Sequence, residues 1–235
     1  MKQMRILSAS LGLALLVGHP GIAQTLPDGN VPALQYFPLI RGNVWTYQGV
    51  VAWTDNSGKV RQERLTFQMK VTDVYRRGPM WLAVLQGHPV DSAWYEKGKP
   101  PSHSAYLCIG YQIYELDTQR TTEVIRRLQD PRDSLINLIS EEELAFDLPL
   151  LPGKRFGSTS QVARDDGRYQ WAVLTQPQGA SSDESELLND TLPAHIRLRF
   201  KPGIGITSYE YVHHGTTAES YLTLVGFTPG QVRNR

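Results

Sequence analysis

The chain has 235 residues, with 24 Lys and Arg against 23 Asp and Glu, 40% hydrophobic residues and a single Cys. The even charge excludes a general nucleic-acid binder, which needs a basic surface to displace counterions, and the apolar share excludes a disordered chain. One Cys excludes an intramolecular disulfide framework and a Cys-based zinc site.

At the N-terminus, Lys2 and Arg5 precede an apolar run over residues 6–17, and Gly21-Ile22-Ala23 places small residues where a signal peptidase reads. This order predicts a signal peptide over 1–23 and a single exported domain over 24–235, periplasmic or secreted. The run is too short to span a bilayer core of ~30 Å; a buried N-terminal helix is the competing reading. No Cys follows it for lipid attachment, and no later stretch reads as a transmembrane segment. Cleavage removes Lys2 and Arg5 and no acid, which moves the charge balance just to the acidic side.

Period-two alternation then dominates. Trp45, Tyr47, Val51 and Trp53 share one parity, with Gly49 among them. Leu65, Phe67, Met69 and Val71 alternate with polar residues, and Ile196, Leu198 and Phe200 alternate with His195, Arg197, Arg199 and Lys201. Successive strand side chains point to opposite faces, so each run predicts one buried and one wet face of an antiparallel sheet. Residues 80–85 are apolar on both parities and predict a central strand covered on both sides. Asp55-Asn-Ser-Gly58, Asp165-Asp-Gly-Arg168 and His214-Gly215 carry turn residues. Cys108 lies in an apolar strand-like run and predicts a buried thiol acting as a small hydrophobe; an intermolecular disulfide is the alternative. Asp130-Pro131 reads as an N-cap followed by a first-turn proline, so a helix or pair of turns is predicted over about 131–145. Residues 176–193 read as a long polar loop. The fold class that follows is all-β and mainly antiparallel, with about ten strands. It is a curved sheet or partly open barrel with one short helical insertion, with a β-sandwich as the alternative.

Phe37-Pro-Leu-Ile-Arg-Gly-Asn-Val-Trp45 aligns without gaps to Leu148-Pro-Leu-Leu-Pro-Gly-Lys-Arg-Phe156. The shared pattern, apolar-Pro-Leu-x-x-Gly-x-x-aromatic, is followed in each copy by a strand and an Asp-led turn. It predicts an internal structural repeat, in which Pro sets an extended approach and Gly permits a tight bend. Together with Lys201-Pro-Gly-Ile-Gly-Ile206, these anchors resemble exported bacterial β-rich proteins with an N-terminal PL..GN.W.Y strand, a second PL..G segment and a C-terminal PGIG hairpin. Phe156 stands where that pattern has Trp. The resemblance implies a β-rich extracytoplasmic domain and carries no functional residues. More distantly, the plan is similar to half-barrels that carry lipids or lipoproteins across the periplasm, an analogy of architecture alone.

Enzyme signatures are absent: there is no His-Glu-x-x-His, no Gly-x-Ser-x-Gly, no phosphate loop and no dinucleotide glycine fingerprint. No catalytic residue, metal ligand set or cofactor is therefore expected. His213-His214 would point to opposite strand faces, and Glu141-Glu-Glu143 reads as a solvated helix face. Two rows are candidate sites. Trp45, Tyr47 and Trp53, with Tyr209 and Tyr211, are either core or the lining of a concave apolar pocket. His195, Arg197, Arg199 and Lys201 form a basic row that is either a solvent face or an anion site. The leading expectation is a non-enzymatic envelope module that holds an apolar or amphiphilic ligand, with a lipid or an envelope protein as partner. An envelope hydrolase with scattered site residues and a purely structural interaction domain are the alternatives.

Overall fold

The computed structural model describes residues 31–175 and 183–230. The expected targeting segment lies outside them. Twelve strands are present among the described residues. They are β1 (Val44–Thr54), β2 (Val60–Arg77), β3 (Met80–Gln86), β4 (His103–Ile109), β5 (Gln112–Leu116) and β6 (Leu144–Asp147), then β7 (Arg155–Phe156), β8 (Trp171–Val173), β9 (Ser185–Asp190), β10 (Ala194–Lys201), β11 (Gly205–His213) and β12 (Ala218–Thr228). All pairings are antiparallel between chain neighbours, and β1 also pairs with β12. The wall thus runs in chain order around a nearly closed barrel, with one seam between β6 and β7. This is the all-β, partly open barrel expected from the alternation. A single continuous sheet takes the place of the β-sandwich alternative.

Trp45, Tyr47 and Val51 on β1 are fully buried, and Met69 and Val71 on β2 join them inside. β3 is covered on both sides, as its apolar run requires. Trp81, Ala83 and Leu85 face the barrel core. Leu82 faces a second core with Ala105, Leu107 and Leu116, under the helix α2 (Thr118–Gln129). Cys108 is a free, buried thiol on β4.

Two expectations need correction. The main helix is α2, which the sequence reading did not place; over 131–145, expected as a helix or pair of turns, the chain forms turns and then enters β6. Asp117 is its N-cap, its carboxylate accepting from Arg120 N at 2.8 Å, and Asp130 is its C-cap. Its buried stripe holds Thr121, Val124 and Leu128, and charged and polar residues fill the opposite face. Residues 131–140 form turns, and Glu141–Glu143 is one 3-10 turn. Within the expected polar loop, Ser185–Asp190 is strand β9, with Leu187 fully buried. Residues 176–182 of that loop lie outside the described residues.

The repeat is real at the level of hydrogen bonds. Ile40 N donates to Pro38 O at 2.8 Å, and Leu151 N to Pro149 O at 3.1 Å. Asn43 N meets Ile40 O, and Lys154 N meets Leu151 O, both at 3.0 Å. Gly42 N reaches Val71 O at 2.8 Å, and Gly153 N reaches Val173 O at 2.9 Å. Even the side chains match: Asn43 Nδ2 donates to Pro38 O and Lys154 Nζ to Pro149 O. Both bends need glycine, with φ of 86° at Gly42 and 82° at Gly153. Each bend opens a six-stranded meander, β1–β6 and β7–β12, and the two meanders make the barrel.

One end of the barrel is filled. Phe37 follows the short helix α1 (Ala33–Tyr36) and inserts among Trp45, Tyr106, Phe146 and Phe200, with ring centroids 5.4 to 6.2 Å away. Such edge and tilted contacts add to the area buried. At the other end, the β3–β4 connection folds inward over residues 87–102. Ser92 Oγ reaches Ser220 Oγ at 2.6 Å, and Tyr95 packs on Trp53 at 5.1 Å.

Candidate functional site

The inward connection and the seam together leave a cleft of about 500 Å³. Its walls include Asp91 and Ser102 from the connection, Ser104 from β4, Glu115 from β5, Ala145 from β6 and Trp171 from β8. Strand parity explains the placement. Ser104, Tyr106 and Cys108 share the inner face of β4, and Glu115 lies directly opposite Tyr106 in the ladder.

The polar groups here are unevenly satisfied. Asp91 Oδ2 accepts from His88 N at 3.1 Å and from Ser102 N at 3.0 Å. His88 is buried; its Nδ1 accepts from Val90 N at 3.1 Å and its Nε2 makes a short contact with Tyr106 Oη. Glu115 Oε1 lies 3.8 Å from His88 Nδ1. Ser102 Oγ, Ser104 Oγ and Tyr209 Oη are buried and have no hydrogen-bond partner. A buried polar atom left in this state costs about 1–3 kcal/mol. Burial raises the Tyr106 and Tyr209 hydroxyls well above the usual phenol range, and the Glu115 charge raises both further. Asp91 adds to the effect on Tyr209. Two carboxylates, Asp91 and Glu115, and the Ser102 and Ser104 hydroxyls thus line one partly shielded space.

Both ring nitrogens of His88 are engaged, and no serine hydroxyl bonds to it. A nucleophile–base pair is the first geometric requirement of a hydrolase. Among the described residues, no group of three or more His, Cys, Asp or Glu side chains is placed to hold a metal ion.

The aromatic row is divided by the fold. Trp45 Nε1 donates to Ile204 O at 2.7 Å and Tyr47 Oη to Ile206 O at 2.9 Å, so both brace the filled end against the Pro-Gly-Ile-Gly hairpin. Trp53 sits at the opposite end against Tyr95, and Tyr211 packs on Trp94 at 6.1 Å. None of the five lines the cleft; of them, the Tyr209 hydroxyl is the one raised by the Glu115 and Asp91 charges. The basic row stays together on the outer face of β10, and each member faces an acid. Arg197 pairs with the buried Glu186 at 2.8 Å, and Arg199 lies 4.0 Å from the same carboxylate. Lys201 meets Asp183 at 2.6 Å and His195 meets Glu210 at 3.5 Å. His214 Nε2 comes within 3.2 Å of His195 Nδ1, whereas His213 Nδ1 accepts from Gly215 and Thr216 N and holds the turn.

Sequence reasoning missed His88, Asp91, Ser102, Ser104, Glu115 and Trp171. One local signal was available: Glu115 follows Ile113 on the same parity, a carboxylate on an otherwise apolar strand face. The Glu141–Glu143 run is a 3-10 turn with Glu141 and Glu142 exposed, as a solvated face requires, but its carboxylates are also engaged. Glu143 pairs with Arg120 at 2.7 Å, and Glu141 accepts from both Thr159 N and Oγ1 at 2.9 Å, across the seam.

Among the described residues, no helix is long and apolar enough to cross a membrane. No protein-family model matches the chain, and no curated relative matches it. Among solved structures, the chain is similar to a Bacteroides fragilis protein described as exported and as having a YmcC-like fold. The identity is 15%, 83% of this chain and 99% of that chain are covered, and the TM-score is 0.38; a likeness that slight carries no function across.

Proposed function

We propose that this chain is an exported, non-enzymatic binding module of the bacterial envelope that holds a small amphiphilic ligand in the seam cleft. Export is supported by the charged, apolar and small-residue order of residues 1–23, and by the resemblance to exported β-rich bacterial proteins. The binding reading rests on one observation: Ser104 Oγ is buried without a partner on the wall of the cleft that Glu115 and Asp91 also line. Buried hydroxyls are hydrogen-bonded as a rule, and a ligand head group in the cleft supplies the missing bonds. Ala145, Leu144 and Trp171 on the same wall suit the ligand's apolar part.

Native mass spectrometry of the protein purified from its own envelope fraction tests this. The wild type carries a small-molecule adduct, and a folded Ser104→Leu variant, whose side chain enters the cleft, does not. A wild type with no adduct, or an adduct that survives the filled cleft, overturns the reading.

A further inference from the structure

The cleft has a one-sided charge. Asp91 and Glu115 line its interior, and Asp117, Glu142 and Glu143 line its mouth. Arg120 is the one basic residue among the lining residues, and its guanidinium is already engaged by Glu123, Glu143 and Leu138 O. The mouth carboxylates are likewise occupied: Glu143 by Arg120, Glu142 by Ser140, and Asp117 by the first turn of α2.

Glu115 differs from these. Its nearest basic group is His88 Nδ1 at 3.8 Å, and that nitrogen spends its lone pair on Val90 N–H, so it has no proton to offer the carboxylate. The Glu115 side chain is 36% exposed, and the cleft it lines also holds the buried, unpartnered Ser104 Oγ. The carboxylate only accepts, and the Ser104 hydroxyl in the same cleft can turn its O–H to an acceptor and present its oxygen lone pairs to a donor. An ammonium, with three donors and no acceptor, complements this pair more fully than any neutral head group. Trp171 on the same wall adds an aromatic surface of the kind that attracts cations.

We propose that the cleft selects a ligand with a primary ammonium head, and that Glu115 is its counter-ion. This rests on the binding reading above and adds the chemistry of the head group.

Three probes with one apolar body separate the possibilities: hexylamine, hexanol and hexanoate, titrated calorimetrically into the full chain at neutral pH. Hexylamine binds more tightly than hexanol by about tenfold, the scale of one charge-assisted hydrogen bond, and hexanoate binds least. Glu115→Gln removes the hexylamine advantage and leaves hexanol binding in place, and added salt narrows the advantage in the wild type. Equal binding of hexylamine and hexanol in the wild type, lost in Ser104→Leu, overturns the cation preference and leaves the cleft standing as a binding site. A hexylamine preference that persists in Glu115→Gln overturns Glu115 as the counter-ion, and the cleft again stands. Absence of binding by all three probes overturns both readings. The wild-type comparison needs no mutant, so the test holds even if Glu115→Gln folds poorly.

Discussion

A buried hydroxyl without a partner has given up its water and received nothing in exchange, and Tyr209 Oη is in that position. The ring itself is well used, buried to 3% on β11 and opposite Leu198 and Leu222. Tyr209→Phe therefore keeps the packing and removes only the cost. We expect the protein to gain about 1 kcal/mol, read as a higher urea midpoint at unchanged slope. A lower midpoint would mean that the hydroxyl had a partner in the folded state. The filled end of the barrel has the opposite character. There, a Cβ on Gly205 would stand 2.2 Å from the Phe37 ring, at φ 98°. Cys108 belongs to that packed interior as well. Burial pushes its thiol up and keeps it protonated, so it packs as a small hydrophobe and is shielded from disulfide exchange.

At the scale of elements, α2 is held less by its own sequence than by an arginine from another strand. Arg77, at the end of β2, donates to the carbonyls of Arg127, Asp130, Pro131 and Asp133 at 2.6 to 3.2 Å. It satisfies orphan carbonyls at the helix C-terminus and places positive charge where the helix dipole favours it. Arg127 and Leu135 N hold the Asp133 carboxyl down at about 2. Because the folded value is depressed, this support is present above the unfolded value of roughly 4 and is lost as pH falls through about 2. Arg77→Ala should cost about 2 kcal/mol, with faster amide exchange over the last turn of α2 and residues 130–137, read by mass spectrometry. A uniform loss spread over the barrel would point to β2 instead. Long strands such as β1 and β10 announced themselves by alternation, and β3 by its two-sided apolarity. For α2 the signal was present and misassigned: Asp117 caps it and Val124 and Leu128 lie four apart over a charged face, but Asp130-Pro131, which ends it, reads equally as the start of a helix. β9 was hidden for another reason: Glu186 looks like a loop residue until Arg197 comes to lie beside it.

At the scale of the molecule, the repeat was legible and the site was not, for one physical reason. The repeat is local: nine residues fold the same bend twice. The cleft draws on residues from 91 to 171, and the closing of the barrel brings them together. That closure has a weak point. β1 is paired along its length, from Val44 to Trp53 against β12 and from Val44 to Thr54 against β2. β6 and β7 are four and two residues long and share no ladder among the described residues. Side chains bridge the seam instead: Lys154 Nζ meets Asp147 Oδ2 at 3.0 Å, and Glu141 holds Thr159. Opening free energies follow local pairing and burial, so amides of β6, β7 and β8 should exchange well before those of β1 and β12. Lys154→Ala should widen that gap by speeding the seam strands and leaving β1 and β12 unchanged. Asn43, its counterpart in the first repeat, is buried and accepts from Gly230 N at 2.6 Å, so Asn43→Ala should speed exchange at the β1–β12 junction instead. Equal protection around the whole wall would show that the seam is as firmly closed as the rest. The cleft would then lack its passage for a ligand between the two halves, leaving only its mouth near the helix.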